Sequence, residues 1–180
     1  MDFEEEEVHR NSSIATAIAP VEWKGVKLNL LDTPGFLDFI GEVNSAMKVA
    51  DSAAVLVEAV SGVEVGTEAV GAAAEAYGRP RVLVVNKMDR ENVRVRRVKE
   101  SIANNLSGHF VDLQLPIGEG PAFKGVVDLL HMEARVGEKG DKAPIPADMQ
   151  SAAEDARAAL VEAAAEGDDA LIEKFLEGAE

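Results

Sequence analysis

The fold of this chain is set by the stretch Val26-Lys27-Leu28-Asn29-Leu30-Leu31-Asp32-Thr33-Pro34-Gly35, in which an apolar run leads into an acidic turn. A second run of the same design, Arg81-Val82-Leu83-Val84-Val85, leads into Asn86-Lys87-Met88-Asp89. Near-continuous apolar runs are typical of strands in a parallel sheet that helices cover on both faces. We therefore predict that each polar tetrapeptide follows a buried strand.

Strands and helices are predicted to alternate around these two stretches. The sequence favours an extended segment at 14–21, strands at 26–31, 53–60 and 81–85, and helices at 39–50, 64–77 and 95–106. Gly78 and Gly108 are expected to end the last two helices. This alternation predicts an α/β fold with an open, doubly wound, mainly parallel sheet, in which ligands bind at the carboxyl ends of the strands.

The pattern changes towards both ends of the chain. Residues 1–13 are polar and carry no hydrophobic period, which predicts a mobile leader. After Gly108 the sequence predicts strands at 111–117 and 123–130, a connector rich in Gly, Lys and Pro through Pro146, and helices at 147–166 and 168–176. We therefore expect two domains, the first at 1–109 and an appended α+β subdomain at 110–180.

The composition excludes several classes of protein. A chain of 180 residues with 47% apolar residues can form a packed core, and the absence of cysteine excludes a disulfide-stapled secreted module. The chain starts with acidic rather than basic residues, and no apolar run approaches the roughly 20 residues of a membrane span. We expect a cytoplasmic protein without a membrane partner.

The charge of the chain limits its contacts with nucleic acids. A net charge of -15 opposes broad nonspecific binding to DNA or RNA. One group of basic residues is either a solvated helix face or a local contact with RNA. Its members are Arg90, Arg94, Arg96, Arg97 and Lys99.

The turn Asp32-Thr33-Pro34-Gly35 has the residue types that a metal-bound nucleoside triphosphate requires. Asp32, a carboxylate at a strand end, suits Mg²⁺ binding, either directly or through water. Gly35 lets the main chain approach a phosphate oxygen, and Pro34 fixes the turn before it. An ordinary turn is the alternative for this motif by itself.

The turn Asn86-Lys87-Met88-Asp89 has the residue types that distinguish guanine from adenine. Guanine presents N1–H and N2–H side by side, and the Asp89 carboxylate accepts both. Asn86 holds the loop and meets the base edge, while the methylene stem of Lys87 covers the flat face of the base. An exposed polar turn is the alternative. Together the two turns indicate GTP with Mg²⁺ as the ligand.

The remaining polar residues give weaker signals. Ser13 is a candidate magnesium ligand in a loop that orders around a triphosphate, although Ser12 and Ser13 are equally typical of a plain polar loop. His9, His109 and His131 share no metal-ligand spacing and are expected to be structural or solvent-facing. Trp23 is expected to be a packing residue.

These motifs resemble those of the translational GTPases, and within them elongation factor G. His9-Arg10-Asn11-Ser12-Ser13-Ile14 resembles the switch I motif R-G-I-T-I, with Ser13 at its threonine. Asp32-Thr33-Pro34-Gly35-Phe36-Leu37-Asp38-Phe39 resembles the switch II run D-T-P-G-H-V-D-F, and Asn86-Lys87-Met88-Asp89-Arg90 is identical to the family's base-reading sequence. Leu113-Gln114-Leu115-Pro116-Ile117-Gly118 and Lys124-Gly125-Val126-Val127-Asp128-Leu129 resemble the inserted subdomain that distinguishes this factor from the tRNA-delivering one.

The resemblance implies a partial GTP-binding domain of the P-loop NTPase fold, followed by an inserted subdomain that faces the ribosomal stalk proteins. The intact protein would bind GTP and Mg²⁺, dock on the ribosome with local contact to rRNA, and couple hydrolysis to translocation or ribosome recycling. A ribosomal protection factor shares these motifs and is an alternative.

Two positions depart from the family pattern. Phe36, next to Gly35, stands where the family has the histidine that orients the attacking water, and a phenyl ring cannot take over that hydrogen bond. Ser13 keeps the hydroxyl of the family's threonine and loses its methyl group. Both departures favour the second, elongation-factor-G-like branch, and a GTP-dependent switch that hydrolyses slowly or not at all is an alternative function.

The phosphate-cradling loop G-x-x-x-x-G-K-[ST] does not precede Asp32. The resemblance therefore implies a fragment that lacks this loop and the C-terminal domains, although a complete small interaction module is an alternative. Because that loop provides most of the phosphate affinity, we expect the 180-residue chain alone neither to hold GTP tightly nor to hydrolyse it.

Overall fold

A computed structural model of the chain describes residues 2–167 and 171–173. The chain divides into two compact units: unit 1 comprises Met1–Lys87 and Arg96–Ser107, and unit 2 comprises Met88–Val95 and Gly108–Glu180. Within the described ranges, every helix is too short or too polar to cross a lipid bilayer.

Unit 1 combines two separate strand pairs with helices. Its elements in chain order are α1 (Glu5–Arg10), β1 (Ala17–Trp23), β2 (Val26–Asp32), α2 (Ile40–Val49), β3 (Ala53–Glu58), α3 (Val65–Ala76), β4 (Arg81–Asn86) and α4 (Val95–Asn105), whose first residue belongs to unit 2. Strands β3 and β4 pair in parallel and are joined by α3, which is the strand-helix-strand connection of α/β proteins. The predicted α/β class with a parallel sheet is confirmed.

The parallel pair buries one face and exposes the other. Ala53 and Val55 of β3 pack against α2 and α3 and are at most 8% exposed. On the opposite face Leu56 lies beside Val84, and these two side chains are 61% and 42% exposed. The prediction that helices cover both faces is therefore wrong for the described residues, because an apolar run reports side-chain type and not the presence of a covering element.

Strand β2 forms a hairpin with β1 instead of joining the parallel pair. The two strands are antiparallel, with Ala17 opposite Asp32 and Trp23 opposite Val26. Lys24 and Gly25 make the two-residue turn, and both have positive φ (47° and 79°), the backbone geometry that suits the twist of such hairpins. Trp23 is 64% exposed, so the prediction that it is a packing residue is wrong.

Residues Glu5–Arg10 form the helix α1, whereas the sequence predicted a mobile leader. The Glu7 carboxylate accepts the backbone N–H of Glu4 at the start of this helix, and Asn11 ends the helix in a left-handed conformation (φ 50°). The prediction was wrong because polar contacts to Glu7 stabilise this helix, and hydrophobic periodicity does not indicate such contacts.

Unit 2 is an antiparallel sheet with a helix packed on it. The sheet contains β5 (Gln114–Ile117), β6 (Gly125–Asp128), β7 (Glu133–Val136) and β8 (Asp141–Ala143) in that order, and α5 (Gln150–Ala165) follows. Val127 and Leu129 pack against Ala153 and Leu160 of α5, and these four residues are buried.

Two of these strands lie in the segment that the sequence predicted to be a connector through Pro146. Strands β7 and β8 have four and three residues and carry charged side chains such as Glu133 and Arg135, so they lack an apolar run that would indicate a strand. The predicted helix at 168–176 lies outside the described residues except for 171–173, which are helical.

Candidate functional site

The first predicted turn follows β2, which ends at Asp32. Asp32 and Thr33 are half-buried, Pro34 is buried and Gly35 is exposed. The loop lies near the start of α3, since a Cβ built on Gly66 would lie 3.9 Å from the carbonyl oxygen of Gly35. The backbone of Gly35 is therefore accessible at the end of a strand, as a phosphate-approaching residue requires.

Phe36 directs its ring into solvent. Its side chain is 60% exposed, and its carbonyl oxygen accepts the N–H of Phe39 at 3.0 Å in the short 3-10 helix Leu37–Phe39. A phenyl ring has no hydrogen-bond donor or acceptor suited to a water molecule. The side chain at position 36 therefore cannot orient an attacking water.

Ser13 lies in the segment that leads into β1. Its hydroxyl donates a hydrogen bond to a carboxylate oxygen of Asp2 at 2.7 Å. Three residues later the N–H of Thr16 donates to Glu42 of α2 at 2.8 Å. Hydrogen bonding from Thr16 lowers the pKa of the Glu42 carboxyl. The Ser13 hydroxyl thus contacts the carboxylate of Asp2, and its role as a magnesium ligand stays a prediction.

The second predicted turn follows β4, which ends at Asn86. The Asn86 side-chain oxygen accepts the N–H of Lys87 at 2.8 Å, and Lys87 has a left-handed backbone (φ 59°). A non-glycine residue with positive φ is uncommon, and here the asparagine side chain stabilises it. Asn86 therefore stabilises the backbone of Lys87, and its contact with a base edge stays a prediction.

Glu58, the last residue of β3, was missed by the sequence analysis. Its carboxylate contacts the ammonium group of Lys87 at 2.8 Å and accepts the hydroxyl of Ser61 at 2.9 Å. Glu58 is aligned with Asn86 in the parallel ladder, so an acidic residue that ends the neighbouring strand was the available signal. The ion pair is exposed to solvent and places the ammonium group of Lys87 beside the carboxyl end of β3.

Asp89 is exposed in the turn that comes two residues after Lys87. A polar hollow beside the loop that follows β3 is lined by Val60, Ser61, Gly62, Arg97, Val98 and Ser101, and it includes none of the predicted site residues.

The basic residues that were candidates for RNA contact are all exposed, and Arg96 pairs with Glu100 at 2.8 Å. Their exposure and this ion pair agree with a solvated surface.

His131, which the sequence analysis expected to be structural or solvent-facing, is exposed and has carboxylate neighbours. Its Nδ1 lies 2.8 Å from Asp128, and the ligating atoms of Asp128, His131 and Glu133 all lie within 4.8 Å of one another. Burial by itself would raise the pKa of Asp128, but hydrogen bonds from His131 and from the N–H of Leu130 outweigh it and lower the pKa. Glu133 is already paired with Arg135 and Lys142, at 2.5 and 3.1 Å, which opposes cation binding.

Comparisons with known proteins find a matching family and a similar solved structure. Residues 1–177 match the family model described as the elongation factor Tu GTP binding domain. Among solved structures, a protein from Thermus thermophilus is similar, with a TM-score of 0.88 and 35% sequence identity. The match covers 99% of this chain and 27% of the Thermus protein, so the chain spans about a quarter of the length of that relative.

Proposed function

Because this chain belongs to the family of the elongation factor Tu GTP-binding domain, we propose that it is part of a ribosome-associated GTPase of the elongation factor G type. The observation that carries the proposal is the loop after β4, in which the Asn86 side chain holds Lys87 in a left-handed conformation. This loop is part of the segment that resembles the guanine-reading sequence of the translational GTPases. The family model that matches the chain also describes a GTP-binding domain.

In the proposed role the loop after β4 recognises the base. The Asp89 carboxylate accepts the two adjacent N–H groups of guanine, and Asn86 meets the base edge. The stem of Lys87 covers the base while its ammonium group contacts Glu58. Adenine lacks the paired donors, so the carboxylate would lose its partners with ATP.

The loop after β2 is proposed to serve the phosphates and Mg²⁺. Asp32 fits a hard cation, because a half-buried carboxylate at the end of a strand offers oxygen ligands. Thr33, Pro34 and Gly35 would present the backbone to the terminal phosphate. The Ser13 hydroxyl fits the ion only after it leaves Asp2. Bound Mg²⁺ would neutralise the negative charge of the phosphates.

The sequence markers of unit 2 support the elongation factor G type over the tRNA-delivering type. Lys124-Gly125-Val126-Val127-Asp128-Leu129 contains β6 (Gly125–Asp128) and one residue on each side of it, and β6 lies between β5 and β7 in the antiparallel sheet. We propose that residues 110–180 are the inserted subdomain and contact ribosomal stalk proteins, with local contact of the protein to rRNA. Translocation or ribosome recycling would be the step that GTP hydrolysis drives, in the cytoplasm.

The 180-residue chain by itself is expected not to bind guanine nucleotides with micromolar affinity. The sequence has no phosphate-cradling loop before Asp32, and backbone amides of such a loop provide most of the phosphate affinity. The measurement is a titration of the chain with a fluorescent GTP analogue in the presence of Mg²⁺. A micromolar dissociation constant would contradict the prediction, and a longer protein with the loop present is the positive control.

A GTP-dependent switch with slow hydrolysis is a second candidate function, and Phe36 is the residue that favours it. In the intact protein, Phe36→His is expected to raise ribosome-stimulated phosphate release by about 100-fold if water orientation is what limits hydrolysis. Rates of phosphate release with and without ribosomes measure this effect.

A matched control is Leu37→His, which introduces the same imidazole one residue further along the loop. Leu37 is 45% exposed and tolerates a polar group, so this variant should leave the rate unchanged. Equally slow phosphate release from the parent protein and from Phe36→His would argue against any catalytic role of position 36 and for the switch.

A further inference from the structure

Glu7 is a buried charged residue that the proposed function does not use. Its side chain belongs to α1 and is only 1% exposed. One carboxylate oxygen accepts the N–H groups of Ile14 and Ala15 at 2.8 and 3.1 Å. The other oxygen accepts the N–H groups of Phe3 and Glu4, both at 3.2 Å. A single side chain thus joins the start of α1 to the segment before β1.

These four contacts make the buried charge stable. A buried carboxylate is unfavourable unless hydrogen bonds replace its water, and here each oxygen accepts two backbone donors. The hydrogen bonds from Ile14 and Ala15 outweigh the effect of burial and lower the pKa of Glu7 to about 2. Glu7 is therefore an anion at neutral pH, and its contacts are charge-assisted.

The contacts lie on both sides of a short loop. The N–H of Ser12 donates to the backbone carbonyl of Glu7 at 3.1 Å, while the side chain of Glu7 holds Ile14 and Ala15. Ser13 lies between these two attachment points. Two residues after Ala15 the chain enters β1, where Ala17 is aligned with Asp32.

We propose that Glu7 is a positioning residue for Ser13: it fixes the backbone on the C-terminal side of Ser13 and so directs the serine hydroxyl. This inference rests on the proposed function, in which Ser13 is a magnesium ligand. The neighbouring Glu6 has no such role, because it is exposed and pairs with Arg10 at 2.5 Å on the surface of α1. Glu6→Gln is therefore a matched control for Glu7→Gln.

The first test is amide hydrogen exchange of the 180-residue chain, measured by NMR. In Glu7→Gln only one oxygen remains to accept, and it carries no full charge, so one pair of N–H groups, either Ile14 with Ala15 or Phe3 with Glu4, faces a donor instead. Protection of that pair is expected to fall at least about tenfold. Glu6→Gln should leave it unchanged. The amides of Val55 and Val57, buried in β3, report whether the fold is retained. Unchanged protection of both pairs in Glu7→Gln would overturn the proposal.

A second variant covers the case in which Glu7→Gln does not fold. Glu7→Ala removes the carboxylate and leaves space for a small anion at the four N–H groups. Acetate should then restore protection at Ile14 and Ala15, and chloride at equal ionic strength should not. Equal effects of the two salts would count against a specific carboxylate role.

The final test links Glu7 to Mg²⁺ in the intact protein. Glu7→Gln is expected to raise the Mg²⁺ concentration for half-maximal GTP binding about tenfold, whereas Glu6→Gln leaves it unchanged. Loss of amide protection without a change in the Mg²⁺ requirement would refute the positioning of Ser13 and leave Glu7 as a residue that only holds the loop. Absence of any Mg²⁺-dependent GTP binding by the unaltered protein would refute the proposed function instead. The hydrogen-exchange result does not depend on GTP or Mg²⁺ binding.

Discussion

Replacing Asp89 by asparagine is expected to weaken guanine nucleotide binding by the intact protein about 10³-fold, because two charge-assisted hydrogen bonds to the base are lost. The asparagine side chain offers one acceptor and one donor where guanine presents two donors. One N–H of guanine would then oppose an N–H of the protein. Titration with GTP in excess Mg²⁺ measures the loss.

The same variant should gain affinity for a different base. Xanthine has a carbonyl group where guanine has its exocyclic amine, so it accepts the new amide donor. The matched control is Asp51→Asn, which changes an exposed aspartate in the loop between α2 and β3. If Asp89→Asn and Asp51→Asn bind GTP equally well, Asp89 does not read the base.

Gly125→Ala is expected to destabilise unit 2 by about 4 kcal/mol or more, which is an exceptional loss for one methyl group. Gly125 is in β6 and has a φ of 149°, a conformation that side chains with a Cβ rarely adopt. A Cβ there would lie 2.0 Å from the carbonyl oxygen of Arg135 and 2.9 Å from Cα of Val136. Both are backbone atoms of β7, so relief requires the strand pairing to open.

The control for this variant is Gly137→Ala, just after β7. Gly137 also has a positive φ of 70°, but a Cβ there would meet nothing within 4 Å. It should therefore lose only about 1 to 2 kcal/mol, from the backbone conformation alone. Urea unfolding followed by circular dichroism compares the two variants, and equal losses would show that contact with β7 is not the cause.

The sequence located the ends of β2 and β4 correctly. Asp32 was predicted to follow a strand and is the last residue of β2, and Asn86 is the last residue of β4. The helix predicted at 64–77 is observed at Val65–Ala76. These features follow from local rules, because strand ends, turns and glycine stops depend on residues a few positions apart. The roles of the site residues are still predictions.

The local rules failed where contacts between residues distant in the sequence determine the structure. Nothing in the first 13 residues indicates a helix by hydrophobic period, yet Glu7 is buried because it accepts N–H groups seven and eight residues away. Glu58 was missed because its contact with Lys87 spans 29 residues and requires the parallel alignment of β3 with β4. Trp23 was expected to be a packing residue, but it is 64% exposed.

The sequence by itself determined the fold class and the positions of the turns after β2 and β4, because each of these depends on short-range pattern. The tertiary structure decided which faces are buried, that β2 pairs with β1, and which carboxylates hold Lys87 and the Ser13 segment. Burial and ion pairing are properties of residues that meet in space, and a one-dimensional pattern does not contain their separation.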